Sequence, residues 1–362
     1  MSTEVRDPGT AEFERLAARG RLPALAHGVL HLACRNGAST GPGPPVMAFL
    51  HALPDADRLA LGRIWAHWLP RVPLHGTRTF EEFGRTPTQV RTELLTLASG
   101  IVRGLDGGLL AAQRCERLDG LSRLYEIGPG TRDWELALAE LDAGRPPGPA
   151  VVAVFRRTAL APGAPPALRE AAAVLPGPAL NPGEAWADLA LREASAGPLE
   201  ALLAHPAPPT ARTPSARWAR TARTVLARAG PEVSRQRLHG WCAAFGLPRT
   251  VPLSAHRSVH PDTGHPPDPY NCLVLRGAAW SLGLLPPRPG TAHALAALAI
   301  TALRPLRDGR RTAPGVADAA ITALALTGGD PTARDQLTDL AHRVTHRPTA
   351  RRIAAALDQQ GR

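Results

Sequence analysis

Lysine is missing from this sequence altogether. All 42 of its basic residues are arginine, set against 31 acidic residues and 13 histidines, for a formal net charge of +11 over 362 residues. The missing amine excludes every mechanism that requires one: no Walker A phosphate lysine, no kinase strand lysine, no Schiff base and no Ser–Lys hydrolase can be assembled. The run GASTGPGPP (37–45) accordingly lacks the GK[ST] of a phosphate loop and reads as a Pro-rich linker. GxSxG, HExxH and dinucleotide fingerprints are missing too.

Other shortages narrow the class further. Aromatic residues make up only 4% of the chain and β-branched strand formers are few, which disfavours sheet. The four cysteines, Cys34, Cys115, Cys242 and Cys272, form no CxxC pair and read as reduced thiols, not a disulfide framework. The longest apolar run, AHALAALAITAL (292–303), falls well short of the ~20 residues of a membrane span. The N-terminal MSTEVRDPGTAEFERL carries acids and no apolar segment of the signal-peptide kind. The expectation is a soluble cytoplasmic protein without a membrane partner.

Alanine, proline and glycine are plentiful, with 38 prolines and 34 glycines. Together with arginine in place of lysine, this looks like the high-GC coding of an actinobacterium, so part of the positive charge is compositional. The 44% hydrophobic content is enough for a substantial core.

Helical punctuation recurs along the chain. In RTPTQVRTELLTLASGIV (85–102), Thr86 can cap, Pro87 suits the first helical position and Gln89 completes a capping box. Val90, Leu94, Leu97 and Ile101 then form one apolar stripe, and Leu61, Ile64, Trp65 and Trp68 another. Later stripes are Leu238, Trp241, Cys242 and Phe245; Leu273, Gly277, Trp280 and Leu284; Ala317, Ala320, Ile321 and Leu324; and Leu337, Leu340, Ala341 and Val344. Gly277 on such a stripe predicts a closely packed neighbour. PTAR recurs at 209–212, 331–334 and 348–351, reused as a helix start. The pattern predicts an all-α chain of stacked antiparallel helix pairs, a HEAT/armadillo-like α-solenoid. Three regions are expected: N-terminal helices over 1–140, a Pro/Ala-rich helical connector over 141–212 and a C-terminal helical region over 213–362.

Four segments carry a family resemblance: PSARWARTARTVLARAG (214–230), LPRTVPL (247–253), DPYNCLVLRGAAWSLGLLPPRP (268–289) and LAHRVTHRPTARRIAAALDQ (340–359). In this order they resemble the HEAT-like helical region of large bacterial proteins that end in a conserved domain of unknown function. Some of those proteins carry a WGR module and are labelled molybdate-metabolism-regulator-like. The resemblance spans roughly residues 210–360 and implies an all-helical stack with a regulatory or scaffolding role. The sequence ends where that C-terminal domain would begin, so nothing the domain does is carried over, and no catalytic residue is implied.

Two histidine groups present metal-ligating side chains. HRSVHPDTGHPPDPYNC (256–272) holds His256, His260, Asp262 and His265, types that suit zinc or another divalent ion. Their spacing matches no established ligand pattern, and the stretch reads as a connector, with Asp268 or Asn271 capping the next helix. In LPALAHGVLHLACRNG (22–37), His27, His31 and Cys34 fall at i, i+4 and i+7 of one helix, without the glutamate of a zinc-protease motif. A semi-buried polar face accounts for them better than a metal. No cofactor is expected.

The strongest binding candidate is the helix between Pro214 and Gly230. Trp218, Ala222, Val225 and Leu226 make its inner face, and Arg217, Arg220, Arg223 and Arg228 its outer one, with Arg212 nearby. Arginine forks suit phosphates, whereas a solvated face is the competing account. A second basic set comprises Arg343, Arg347, Arg351 and Arg352. With no catalytic constellation in view, the leading expectation is a non-catalytic scaffold for a protein partner, met through the loop from Ser254 to Asp268 and the arginine face. The alternatives are a nucleic-acid-binding helical stack and a tailoring enzyme of a biosynthetic cluster.

Overall fold

A computed structural model describes residues 8–36, 41–73, 84–128, 131–195, 197–254, 266–306, 309–327 and 330–360. All regular structure among them is helical, and no strand forms; two isolated bridges, Glu184 with Arg249 and Pro305 with Arg311, are the sole β-type pairings. No described helix is long and apolar enough to cross a membrane. The chain divides into two compact units, Met1–Pro176 and Gly177–Arg362.

The first unit contains α1 (Pro8–Ala18), α2 (Leu22–Asn36), α3 (Pro44–His51), α4 (Asp55–Trp68), α5 (Pro87–Ile101), α6 (Ala111–Leu121), α7 (Trp134–Asp142), α8 (Pro149–Ala159) and α9 (Pro166–Val174). α5 starts as its sequence dictates: the Thr86 side chain accepts from the Gln89 backbone N–H, and the Thr86 N–H donates to Gln89 Oε1 at 3.0 Å. Its stripe Val90, Leu94, Leu97 and Ile101 is fully buried, packed against α2, α4 and α7. In α4, Leu61 and Trp65 are buried, and the Trp65 indole N–H donates to the Ala26 carbonyl at 3.0 Å.

This core also holds charge. Arg114 Nε donates to Glu140 Oε1 at 2.6 Å, and Arg132 Nη2 donates to Glu93 Oε2 at 3.1 Å, all four residues being buried. Burial raises the Glu93 carboxyl above its ordinary range, with Arg132 pulling the other way. Charges this deep persist only when paired.

The second unit contains α10 (Ala185–Ala194), α11 (Glu200–Leu203), α12 (Ala216–Ala229), α13 (Pro231–Ala244), α14 (Pro269–Leu284), α15 (Pro289–Ala302), α16 (Pro314–Leu326), α17 (Pro331–Arg343) and α18 (Arg347–Gln360). Here α12, α14, α16 and α18 touch in succession, as do α13, α15 and α17. Each helix from α12 to α18 also packs on the next in sequence. The unit is therefore two interleaved layers.

Small residues set the spacing. A Cβ on Gly277 would stand 3.2 Å from the Trp218 ring and 3.3 Å from the His205 carbonyl. One on Gly283 would stand 2.7 Å from the Ala323 carbonyl oxygen, so α14 and α16 meet backbone to backbone. The expected inner residues of α12, α13 and α16 are buried, whereas Ala341 of α17, expected on the inner stripe, is exposed.

The helices of the span 141–212, expected as a connector, are shared between the two cores. α8 and α9 complete the first core, while α10 and α11 join the second. Trp134 and Trp186, which no periodic pattern had flagged, are core residues as well, one in each unit.

Candidate functional site

One concavity lies in the second unit, between the segment that leads into α12 and the face of α18. It is an open groove of about 690 Å³. Its floor is α16, which shows Ala325 and Leu326 with Ile321 beneath; Pro214, Ala355 and Ala356 make the apolar sides. Leu326 remains 41% exposed, although most of the apolar residues of its helix are buried. Arg212, Arg351 and Arg352 stand at the rim.

The three arginines are not equivalent. Arg352 is built in: its Nε lies 3.4 Å from Asp318 Oδ2, and its Nη1 donates to the Arg212 carbonyl at 3.1 Å and to Thr322 Oγ1 at 3.3 Å. Asp318 is held in turn by the Thr349 hydroxyl, which donates to Oδ1 at 3.3 Å. The leader segment is gripped from below by Arg276, which donates to the carbonyls of Pro209 and Ala211 while its guanidinium lies 5.7 Å over the Trp280 ring. Arg212 and Arg351 are exposed, and neither side chain pairs with a carboxylate among the described residues. The groove thus offers two open guanidiniums above an apolar floor, on a wall fixed by two other arginines.

Arg217, Arg220, Arg223 and Arg228 all lie exposed on α12, outside the groove lining. Ser215 starts that helix by accepting from the Trp218 N–H at 3.2 Å, and Trp218 anchors its inner face, stacked on His205 with ring centroids 4.9 Å apart. The structure brings Arg212 together with Arg351 and Arg352 of the second basic set. It leaves Arg343 apart, in an ion pair with Asp339 at 2.9 Å.

The histidine groups fare differently. His256, His260, Asp262 and His265 lie outside the described residues. His27, His31 and Cys34 differ in burial: Cys34 is buried with Leu30 and Ala33, His27 is exposed with its ring edge-on to Trp68, and His31 is half-buried. Burial pushes the Cys34 thiol up to about 12, the opposite of what a thiolate ligand needs. The buried residues of α2 are Leu25, Ala26, Val29, Leu30, Ala33 and Cys34. Among the described residues no group of three or more His, Cys, Asp or Glu side chains is placed to hold a metal.

Asp268, one of the two expected caps, does cap α14, accepting from the Tyr270 N–H at 2.9 Å and the Asn271 N–H at 3.3 Å; although it ends the loop expected to face a partner, it is fully buried. Around it lies a polar network that nothing in the sequence announces. Asn181 Nδ2 donates to both Asp268 oxygens, Glu184 Oε1 accepts from the Asp268 N–H at 2.7 Å, and Glu184 Oε2 accepts from Asn271 Nδ2 at 2.8 Å. Burial and then the Asp268 charge raise the Glu184 carboxyl to about 7. The two segments of this network, NPGE (181–184) and DPYN (268–271), are too far apart in sequence to be paired by inspection.

No family model, curated protein or solved structure matches the chain.

Proposed function

We propose that this protein is a non-catalytic α-helical binding module whose second unit seats an acidic, apolar-anchored helical segment of a partner protein in the groove between Arg212 and Arg351. The observation that carries this reading is the pairing of an apolar floor (Ala325, Leu326) with two guanidiniums that have no counter-charge among the described residues. Amphipathic helices dock into such grooves by their apolar face, and arginine forks grip carboxylates at the edge. The interleaved contacts of α12 to α18 support a HEAT-like solenoid of helix pairs as the architecture presenting it, in keeping with the family resemblance of residues 210–360 and its scaffolding role.

Selection from a displayed library of random 15-residue peptides tests the reading. Enrichment of sequences with apolar residues at i, i+3 and i+4 and Asp or Glu beside them is expected, and it should be lost with Arg212→Glu, Arg351→Glu. Enrichment without acidic preference, or an enrichment the double variant leaves intact, overturns it.

A further inference from the structure

The outer face of α12 presents chemistry of a different kind from the groove: its exposed residues are arginine, threonine and alanine, with no large apolar side chain among them. Arg217, Arg220, Arg223 and Arg228 are all exposed on a fourteen-residue helix that contains no acidic residue. None of the four forms an ion pair among the described residues. The threonines between them add nothing outward, since Thr221 and Thr224 donate back to the Arg217 and Arg220 carbonyls at 3.3 and 3.1 Å.

The α12 arginines differ from several others in the chain: Arg114, Arg117, Arg132, Arg145, Arg237 and Arg249 each pair with a carboxylate. On α12, Arg217, Arg220 and Arg223 are instead successive i, i+3 neighbours of like charge, an arrangement that costs the isolated helix stability. The row from Arg217 to Arg228 rises about 16 Å along the axis. One strand of a duplex carries about five phosphates over that length.

We propose that the outer face of α12 binds the phosphate backbone of a nucleic acid, through Arg217, Arg220, Arg223 and Arg228 and without reading its sequence. The proposal does not rest on the groove or its peptide partner.

Fluorescence anisotropy with a labelled 20-base-pair duplex, and with a single strand of the same length, tests it across a salt series. With three or four phosphates neutralised, the expected log–log salt slope is about −3 on duplex and about −2 to −3 on the single strand. The relative affinities in the two arms identify the preferred form. Replacing the four α12 arginines by glutamine should weaken binding at least tenfold and bring the slope close to zero. A charge-matched control, Arg19→Gln, Arg21→Gln, Arg63→Gln, Arg123→Gln, should leave both unchanged. In the unaltered protein, bound DNA should protect the α12 arginines from phenylglyoxal, read by peptide mass spectrometry. The proposal falls if no binding occurs at 50 mM salt, if the slope is shallower than about −1, if the control weakens binding as much as the α12 variant, or if these arginines react equally fast with and without DNA.

Discussion

Glu184 shows how much depends on a single buried carboxyl. Its partners, the Asp268 N–H, Asn271 Nδ2 and Arg249 Nη1, are all donors, and they favour the ionised form. Burial and the neighbouring Asp268 charge oppose them and win, raising the group from an ordinary 4.5 to about 7. A folded-state value above the unfolded one means that the native state holds the extra proton between those limits. Stability from this group is therefore greatest below pH 4.5 and falls as pH rises toward 7, by roughly 3 kcal/mol. In urea unfolding, Glu184→Gln should flatten the pH dependence of the second unit's midpoint between pH 5 and pH 8. A variant with an unchanged slope would place the titration elsewhere.

At the scale of helices, the meeting of α14 and α16 rests on Gly283. Gly283→Ala would drive a methyl to 2.7 Å from backbone oxygen, which cannot swing aside as a side-chain tip can. A loss of about 1–3 kcal/mol is expected in chemical denaturation. Gly240, within α13, has nothing within 4 Å of its would-be Cβ. Gly240→Ala should therefore stabilise by about 0.5–1 kcal/mol. If both substitutions shift stability in the same direction, close helix contact is not what Gly283 provides.

Much of this level was legible in the sequence. The capping box at Thr86, the inner face of α12 and the close neighbour of Gly277 all follow from local chemistry and a period of 3.6. What stayed hidden depends on tertiary pairing. Arg114 and Glu140 are buried partners whose burial no periodicity announces, and Cys34 turned inward because α2 buries a broader face than its leucines alone mark out. The groove combines Arg212 with a helix that begins 135 positions later, so only the fold could join the two basic sets.

At the scale of the whole chain, each unit closes its own core, one running from Phe13 to Leu175 and the other from Leu180 to Ala356. Heat unfolding is expected to show two transitions, one for each core. A groove-binding peptide selected from the library should raise the transition of the second unit and leave the first in place. Calorimetry with and without peptide reads this directly; equal shifts of both transitions would argue against a site confined to the second unit.

α16 touches α14, α15, α17 and α18 and is also the floor of the groove. With the proposed segment seated there, a helix that is both keystone and groove floor would link occupancy to folding by mass action. At a hundredfold excess over its dissociation constant, a bound segment adds about 2.7 kcal/mol to the second unit. Such a module would endure longest in the company of its partner, and the partner's abundance would set how much of it persists.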